Sequence, residues 1–428
     1  MSNRLPAWLY KAVIAIALVL VAWFSSVCLR QKTSNAVETF YYAAKAVSDG
    51  TDIYFSHSPD KKCQYVYPPL LAVAFTPLLK VQLMTATRLW FGFNLLATAA
   101  ALILAAREAA KRFSLPLRPV CILGIAAAGF ILAAGEIKTE WATGQTDTLV
   151  ILGFTAALVL MDKYPVAAGI ALGAAANIKY QTLFALPYFI VRRRWKAAAS
   201  TLASTIAFGI LPAAVLGWDR NIQYLKEAFA GLGMFAGVHS DKAAPTVDLT
   251  WIRSISITST MGRLLDLVGG NSAQAFKAGA LIALVFLAIC WWIYRKQNFT
   301  LFSWDRPIAG SVEAAGEITA YEWVGLMVAW LAFGPEVSRR HMYVLLLLNV
   351  IAVAVLLAPN FKSSRKPLVI GLILFQLALR LPPSGGHFAH AADVWNAVGG
   401  PSWCLLGVYA TLLWTGLALA RERELAPN

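Results

Sequence analysis

The feature that most constrains this chain is a series of long apolar stretches running from residue 8 to residue 420. A helix rises about 1.5 Å per residue and the membrane hydrocarbon core is about 30 Å thick, so one crossing needs roughly 20 apolar residues. Only 14% of the residues are charged, whereas a soluble protein has about 25%. The sequence therefore predicts an all-α polytopic membrane protein. The expected spans are about 8–28, 84–107, 118–135, 145–162, 196–216, 276–294, 320–334, 341–358, 367–381 and 400–420.

Three further apolar stretches are shorter than a membrane crossing. Residues 165–178 and 180–191 flank Lys179 and predict a short or broken helix pair. The run Pro68–Leu79 would be about 18 Å long as a helix, so we interpret it as re-entrant or interfacial. The loops are mostly too short for separate soluble domains, and residues 1–428 are expected to form one membrane domain.

The net charge of +15 is explained by the enrichment of Lys and Arg in cytoplasmic loops, so no nucleic-acid partner is implied. Placing the basic clusters in the cytoplasm predicts about twelve crossings, with both termini inside. Loops 29–67 and 217–275 and the stretch 335–341 then face outside, which in a bacterial inner membrane is the periplasm. The scattered cysteines have no metal-binding spacing, and no metal is expected.

The first outer loop contains a predicted amphipathic helix. Phe40, Ala44 and Val47 are spaced for one helical face, Ser34 or Asn35 could cap the start, and Gly50 would end it. Glu38 falls in its first turn. An acidic residue there is a candidate catalytic base, although the helix dipole alone also favours it.

Polar residues also interrupt the apolar stretches. Gln145 and Asp147 open one span, and Lys179 lies between the two short apolar stretches. A lysine in hydrocarbon costs about 3 kcal/mol on insertion scales, so such residues usually face a polar cavity or a partner. The alternative is a lysine that reaches the interface at a helix break.

The sequence FGPEVSRRHMY places Arg339, Arg340 and His341 between two apolar stretches, on the predicted outer side. Guanidinium groups bind phosphate oxygens through paired hydrogen bonds, and histidine can donate a hydrogen bond or move a proton near neutral pH. These residues suit a lipid-linked phosphate, and an ordinary charged turn is the alternative.

Taken in order, these features resemble the polyprenol-phosphate-dependent mannosyltransferases of glycosyltransferase family 87, which have the membrane GT-C fold. The resemblance runs from about residue 35 to residue 360. It rests on six motifs, each weak alone: an acidic residue before YYAA and GTDIY, then YVYPPL, GQTD, AGIALGAAANIK, RRRW and a GP…H turn ending at His341.

Some positions depart from the family pattern. The family acid is usually an aspartate slightly further upstream, where this chain has Ala36 and Val37, so Asp49 or Asp52 could replace Glu38 as the base. The asparagine that usually follows GQ is shifted to Thr146–Asp147.

The resemblance implies a mechanism and a site. Glu38 would act as general base on an acceptor hydroxyl, which attacks the anomeric carbon with inversion. The donor phosphate would be held by His341, Arg340 and Lys179. Supporting or substrate-binding roles fall to Asp52, Tyr67, Gln145, Asp147 and Arg339.

The implied partners are a polyprenyl-phosphate sugar, with mannose as the family default, a lipid or glycan acceptor, and membrane lipid. No cofactor is expected beyond the lipid-linked donor. Glu38, Lys179 and His341 should converge on one outward-facing cavity, and loop 217–275 is expected to cover the acceptor site. A flippase for a lipid-linked saccharide and a ligase using a diphosphate-linked donor remain the alternatives.

Overall fold

The structure of the protein is a computed structural model that describes residues 6–56, 65–233, 249–300, 312–335, 337–358, 365–381 and 386–425. These residues form α-helices and short 3-10 helices, without strands. The α-helices are α1 Ala7–Arg30, α2 Asn35–Asp49, α3 Pro69–Phe75, α4 Leu83–Arg112, α5 Pro119–Leu132, α6 Ala134–Thr143, α7 Asp147–Leu160, α8 Pro165–Ala176, α9 Ala185–Val191, α10 Trp195–Ile210, α11 Ala213–Leu216, α12 Trp218–Gly233, α13 Ile257–Asp266, α14 Ser272–Lys296, α15 Val312–Phe333, α16 Leu346–Leu357, α17 Arg365–Arg380, α18 Ala389–Ala397 and α19 Gly400–Leu425.

Five helical segments within the described residues are long and apolar enough to cross a membrane. They are Ala7–Arg30, Leu83–Arg112, Trp195–Leu216, Ser272–Lys296 and Gly400–Glu422. Helices α5 and α6 together meet the same test. The chain is therefore a polytopic membrane protein, as its composition indicates, while the figure of twelve crossings stays a prediction.

The chain bends by 75° between α5 and α6. The sequence predicts one apolar element over about 118–135, but α5 ends at Leu132 and α6 runs in a new direction. Glu136, Lys138 and Glu140 make α6 much more polar than α5. This difference explains why the apolar pattern stops while the helical backbone continues.

The chain divides into two compact units. The amino-terminal unit comprises Ala15–Leu104 and Ala134–Thr246, and the carboxy-terminal unit comprises Met1–Ile14, Ala105–Ala133 and Val247–Asn428. Both units are discontinuous in sequence. The expectation of a single domain over the whole chain stays a prediction.

In the amino-terminal unit, α2 packs its apolar face into a buried cluster. Phe40 is 1% exposed, and Trp90, Ile178 and Tyr224 belong to the same cluster. Ser34 occupies the position before α2, where its side chain makes no capping bond, and Gly50 ends the helix with φ 69°. The predicted helix over 34–50 is thus present.

Helices α8 and α10 of the same unit pack closely through small residues. A Cβ atom on Gly169 or Gly173 of α8 would overlap Ser200 or Ser204 of α10. The Ser204 hydroxyl donates to the Gly169 carbonyl at 3.1 Å. Small residues at the same helix face let two membrane helices approach closely.

In the carboxy-terminal unit, α15 packs against α19 and accepts a hydrogen bond from the end of α4. A Cβ atom on Gly325 of α15 would overlap the ring of Tyr409 of α19. Arg112, near the end of α4, donates to the Gly316 carbonyl at 2.8 Å and pairs with Glu108 at 2.8 Å. These contacts fix the amino-terminal end of α15.

The long segment 217–275, expected as a loop, contains two complete helices and the start of α14 in its described parts. They are α12 of the amino-terminal unit and α13 of the carboxy-terminal unit. Ser256 caps α13 by accepting from the Ser259 N–H at 3.1 Å.

Candidate functional site

A buried ion pair lies at the centre of the polar residues of the amino-terminal unit. Lys179 Nζ lies 2.6 Å from Asp147 Oδ1, with 11% of the lysine side chain and none of the aspartate side chain exposed. Lys179 has extended backbone (φ −144°, ψ 123°) between α8 and the following 3-10 helix. The predicted helix break is therefore observed, and it aims the ammonium at the first residue of α7.

Glu140 is a second buried acid beside this pair, and the sequence reasoning did not single it out. It is 1% exposed, and its Oε1 accepts from the Thr148 N–H at 3.3 Å. Thr146, at the position before α7, makes no side-chain capping bond. Glu140 therefore caps α7 from the preceding helix. An ionisable residue close to an apolar stretch was the available signal.

Tyr67 and Gln145 extend the polar cluster. Tyr67 donates its hydroxyl to Gln145 Oε1 at 3.3 Å, and its ring packs edge-on against Phe40 at 5.4 Å between centroids. Gly144 makes the turn before Gln145 with φ 68°, and its carbonyl accepts from Trp90 Nε1 at 2.8 Å. The turn between α6 and α7 is thus held by α4 and lies against α2.

Glu38 lies on α2 next to this turn. Its neighbour Val37 packs at Gly144, so close that a Cβ on the glycine would lie 2.7 Å from Val37 Cγ2. Glu38 itself is half-buried. Within the described part of the chain, its carboxylate makes no hydrogen bond or ion pair. A carboxylate in this state can accept a proton from an approaching hydroxyl.

The two alternative bases have different surroundings. Asp49 is exposed at the end of α2. Asp52 accepts from the Tyr54 N–H at 2.8 Å, which is a local turn contact. Burial, together with the nearby Glu227 carboxylate, holds the pKa of Tyr54 well above its usual value, so the phenol stays a neutral donor to the Tyr224 carbonyl at 3.0 Å.

In the carboxy-terminal unit, His341 lies in the 3-10 helix Arg339–Leu345. Its Nδ1 accepts from the Ser338 N–H at 3.0 Å, and its ring packs edge-on against Trp330 at 5.8 Å. Because Nδ1 accepts from a backbone amide, the proton of the neutral ring resides on Nε2. Nε2 is then the atom that can donate to an anionic ligand.

Arg339 uses its guanidinium within the protein. Nε donates to Asn396 Oδ1 at 3.1 Å, Nη1 to the Leu379 carbonyl at 3.3 Å and Nη2 to the Leu381 carbonyl at 3.4 Å. These bonds hold the end of α17 and the end of α18, which is a structural role that the sequence did not indicate. The Arg340 side chain lies outside the described residues.

The structure brings together four of the predicted site residues in the amino-terminal unit. Tyr67 bonds to Gln145, Asp147 pairs with Lys179, and Gln145 and Asp147 share one turn. Arg339 and His341 belong to the carboxy-terminal unit. The convergence of Glu38, Lys179 and His341 on one cavity stays a prediction.

Together, the fold and this site define a polytopic helical membrane protein with a buried, charge-paired polar centre. Comparison with known families assigns the chain more closely. The profile of glycosyltransferase family 87 matches residues 65–309, which is more than half of the chain, and the protein belongs to that family. The family predicted from the motifs is thus confirmed.

One curated relative is the polyprenol-phosphate-mannose-dependent alpha-(1-2)-phosphatidylinositol mannoside mannosyltransferase of Mycobacterium tuberculosis (strain ATCC 25618 / H37Rv). It is 28% identical over 204 residues, which are 44% of this chain and 46% of the relative. The matched region therefore spans less than half of the relative's length.

Proposed function

We propose that the protein is a membrane glycosyltransferase that moves a sugar from a polyprenyl-phosphate donor to a lipid or glycan acceptor. One observation carries the proposal: the polar cluster of Tyr67, Gln145, Asp147 and Lys179 lies entirely within the segment that matches family 87. The sugar is proposed to be mannose, which would make the enzyme a hexosyltransferase; the relative's name, which includes a polyprenol-phosphate-mannose donor, supports this choice.

The proposed reaction is an inverting displacement at the anomeric carbon. Glu38 takes the proton of the acceptor hydroxyl. The acceptor oxygen forms the new bond to the anomeric carbon as the bond to the phosphate oxygen breaks. The polyprenyl phosphate leaves with the bonding electrons. No metal or other cofactor takes part in this proposal, in which cationic side chains stabilise the charge of the leaving phosphate.

Cationic residues stabilise the charge that develops on the departing phosphate. His341, Arg340 and Lys179 are assigned to this role. In the structure Asp147 pairs with Lys179 at 2.6 Å. This ion pair stabilises the lysine in its apolar environment until an anionic head group approaches. Asp52 and Arg339 remain supporting residues, since both have protein partners.

The proposed setting is the plasma membrane, which is the inner membrane in a bacterium. Both termini lie in the cytoplasm and the reaction takes place at the outer face. The support for this orientation is the distribution of Lys and Arg among the loops. Reporter fusions at each terminus would test it.

The first test is a transfer assay with protein purified in detergent. Radiolabelled polyprenyl-phosphate-mannose is incubated with a lipid and glycan extract, beside a parallel reaction with a polyprenyl-diphosphate sugar. Wild type is expected to place label in a new product from the monophosphate donor. Glu38→Gln should unfold at the wild-type temperature and transfer at least about 100-fold more slowly, because general-base catalysis contributes about 10²–10⁴-fold.

Matched variants distinguish the alternatives. Asp219→Asn changes an exposed acid in the first turn of α12 and is expected to keep full activity. Loss of transfer in Asp49→Asn or Asp52→Asn, with activity retained in Glu38→Gln, would move the base to that aspartate. Movement of the donor across a bilayer without a new glycosidic bond would support the flippase instead. Transfer from the diphosphate donor alone would support the ligase.

A further inference from the structure

The turn that carries His341 is joined to the polar segment before α13. The Val337 N–H donates to Ser254 Oγ at 3.0 Å, and the Ile255 N–H donates to the Val337 carbonyl at 2.7 Å. Thr258 Oγ1 donates to the Phe333 carbonyl at 2.6 Å. One side of the His341 turn is therefore hydrogen-bonded to the start of α13.

Arg263 of α13 continues this connection to the end of α18. Its guanidinium donates to the Ser254 carbonyl at 3.1 Å, to the Ala397 carbonyl at 2.7 Å and to the Asn396 carbonyl at 3.3 Å. It also donates to the Trp251 carbonyl at 2.8 Å. A planar guanidinium with five N–H donors suits this role, because it can bond several carbonyls at once.

Arg339 bonds to the side chain of the same asparagine. Its Nε donates to Asn396 Oδ1 at 3.1 Å, while Arg263 donates to the backbone oxygen of that residue. Asn396 is 7% exposed. It accepts from two arginines, through its backbone oxygen and through Oδ1. Hydrogen bonds join Val337 to Ser254, Ser254 to Arg263, Arg263 to Asn396 and Asn396 to Arg339. The backbone from Val337 to Arg339 closes this ring.

Two members of this ring, Val337 and Arg339, precede His341 closely in sequence. Ser338 follows Val337 and donates its amide to His341 Nδ1 at 3.0 Å. Arg339 begins the 3-10 helix in which His341 is the third residue. The imidazole thus follows directly on a backbone segment that the ring holds at Val337 and at Arg339.

We propose that Asn396 is a positioning residue for His341: it holds Arg339, and through the ring it fixes where His341 Nε2 points. The inference rests on the proposed function, in which His341 holds the donor phosphate. It adds a residue beyond the segment that matches family 87. A displacement of about 1 Å at a reacting group can cost about 100-fold in rate, so loosening the ring lowers transfer although Asn396 contacts no substrate.

The test compares two substitutions that differ in the side-chain acceptor. Asn396→Ala removes Oδ1, and its kcat/KM is expected to fall by at least about tenfold, within the range that misplacement can cause. Asn396→Asp keeps an acceptor for Arg339 and is expected to return to within about threefold of wild type. Equal kcat/KM in Asn396→Ala and wild type, or a folded Asn396→Asp as impaired as Asn396→Ala, would overturn the proposal.

A double-variant cycle separates positioning from general loss of structure. If Asn396 acts through His341, Asn396→Ala should have little further effect in a His341→Ala background. Asn349→Ala is the matched control, because Asn349 is also a buried asparagine of this unit, at 1% exposure. Its effect, whatever its size, should multiply with that of His341→Ala. Multiplicative behaviour of Asn396→Ala would contradict positioning.

A readout without substrate keeps this test separate from the proposed function. Diethylpyrocarbonate modification of His341 is followed by mass spectrometry. Its rate should change at least about threefold in Asn396→Ala, because the access of the reagent to the imidazole nitrogen depends on the local geometry. Asn396→Asp and Asn349→Ala should match wild type. No transfer by wild type would reject the proposed function while leaving the labelling result decisive. If Asn396→Ala does not fold, Arg339→Lys is used instead, because it removes the guanidinium that donates to Asn396. Labelling of His341 at the wild-type rate in Arg339→Lys would refute the proposal.

Discussion

At the scale of single residues, the polar centre of the amino-terminal unit contains the buried ion pair of Lys179 and Asp147. An aspartate with no exposed side-chain surface and a lysine with 11% would each be costly to bury alone. Removing one partner of a buried pair leaves the other charge uncompensated, which is why such changes are more damaging than the pair itself is stabilising.

Asp147→Asn is therefore expected to destabilise the protein by about 3 kcal/mol, as breaking a buried pair does. The remaining amide can accept a hydrogen bond but cannot neutralise the ammonium. The measurement is the thermal unfolding of the purified protein in detergent. The double variant Asp147→Asn with Lys179→Met should recover part of the loss, because the uncompensated ammonium is then removed.

The control is the exposed pair of Arg194 and Asp162, which lie 2.8 Å apart with 53% of the aspartate side chain exposed. Asp162→Asn should cost less than about 1 kcal/mol, as is usual for surface pairs. Similar losses in both aspartate variants would show that burial does not set the cost at Asp147.

The sequence could identify some of these residues but not their pairing. Lys179, Gln145 and Asp147 stand out because each is polar where its neighbours are apolar. Their contacts join segments far apart in the chain, and a single sequence contains no signal for such contacts. Asn396 illustrates the limit, because only the positions of Arg263 and Arg339 give it a role.

At the scale of elements, the turn at Gly144 joins three helices. It connects α6 to α7, and a Cβ there would lie 2.5 Å from Ser34 Oγ and 2.7 Å from Val37 Cγ2 at the start of α2. Its φ of 68° is in the left-handed region that glycine adopts without strain. Both observations require a residue without a side chain.

Gly144→Ala is expected to destabilise the protein by about 2 kcal/mol or more, since the backbone strain and the overlap with α2 add. Gly92→Ala in α4 is the matched control. A Cβ at Gly92 meets nothing within 4 Å, and alanine is the better helix former by about 1 kcal/mol. Thermal unfolding of both variants measures the difference. A Gly144→Ala protein as stable as Gly92→Ala would refute the close packing of α2 on this turn.

Elements with strong local signals were predictable from the sequence. The α2 helix begins near Ser34 and ends at Gly50, as the amphipathic spacing and the glycine indicate. The 75° bend between α5 and α6 was not predicted: the apolar pattern indicated only that a stretch ends near Gly135, not that a helix continues in a new direction. Trp141 of α6 donates to Thr98 Oγ1 of α4 at 3.1 Å, and a single sequence contains no signal for such a tertiary contact.

At the scale of the whole molecule, the outer surfaces of the long helices are apolar. In the middle of α14, Leu281, Leu284 and Val285 are 63%, 62% and 56% exposed. Such side chains are expected to face lipid, because hydrocarbon solvates them at no cost.

Leu284→Arg should make insertion of the full chain less favourable by about 3 kcal/mol, the cost of a charge at the centre of a membrane helix. The fraction of inserted protein can be measured by glycosylation mapping in microsomes. Leu267→Arg is the control, because Leu267 is 82% exposed but lies between α13 and α14, outside the candidate spans. Equal insertion of the two variants would contradict a lipid-facing position for Leu284.

The interleaved order of the two units has a consequence for biosynthesis. Because residues 105–133 belong with residues after 247, they leave the ribosome well before most of their partners exist. Arg112 must therefore wait for Gly316 to be translated before it can donate to that carbonyl. Glu108, one helical turn earlier on α4, gives the guanidinium a partner at 2.8 Å from the moment α4 forms. This nascent pair would shield the charge during translation until α15 is made.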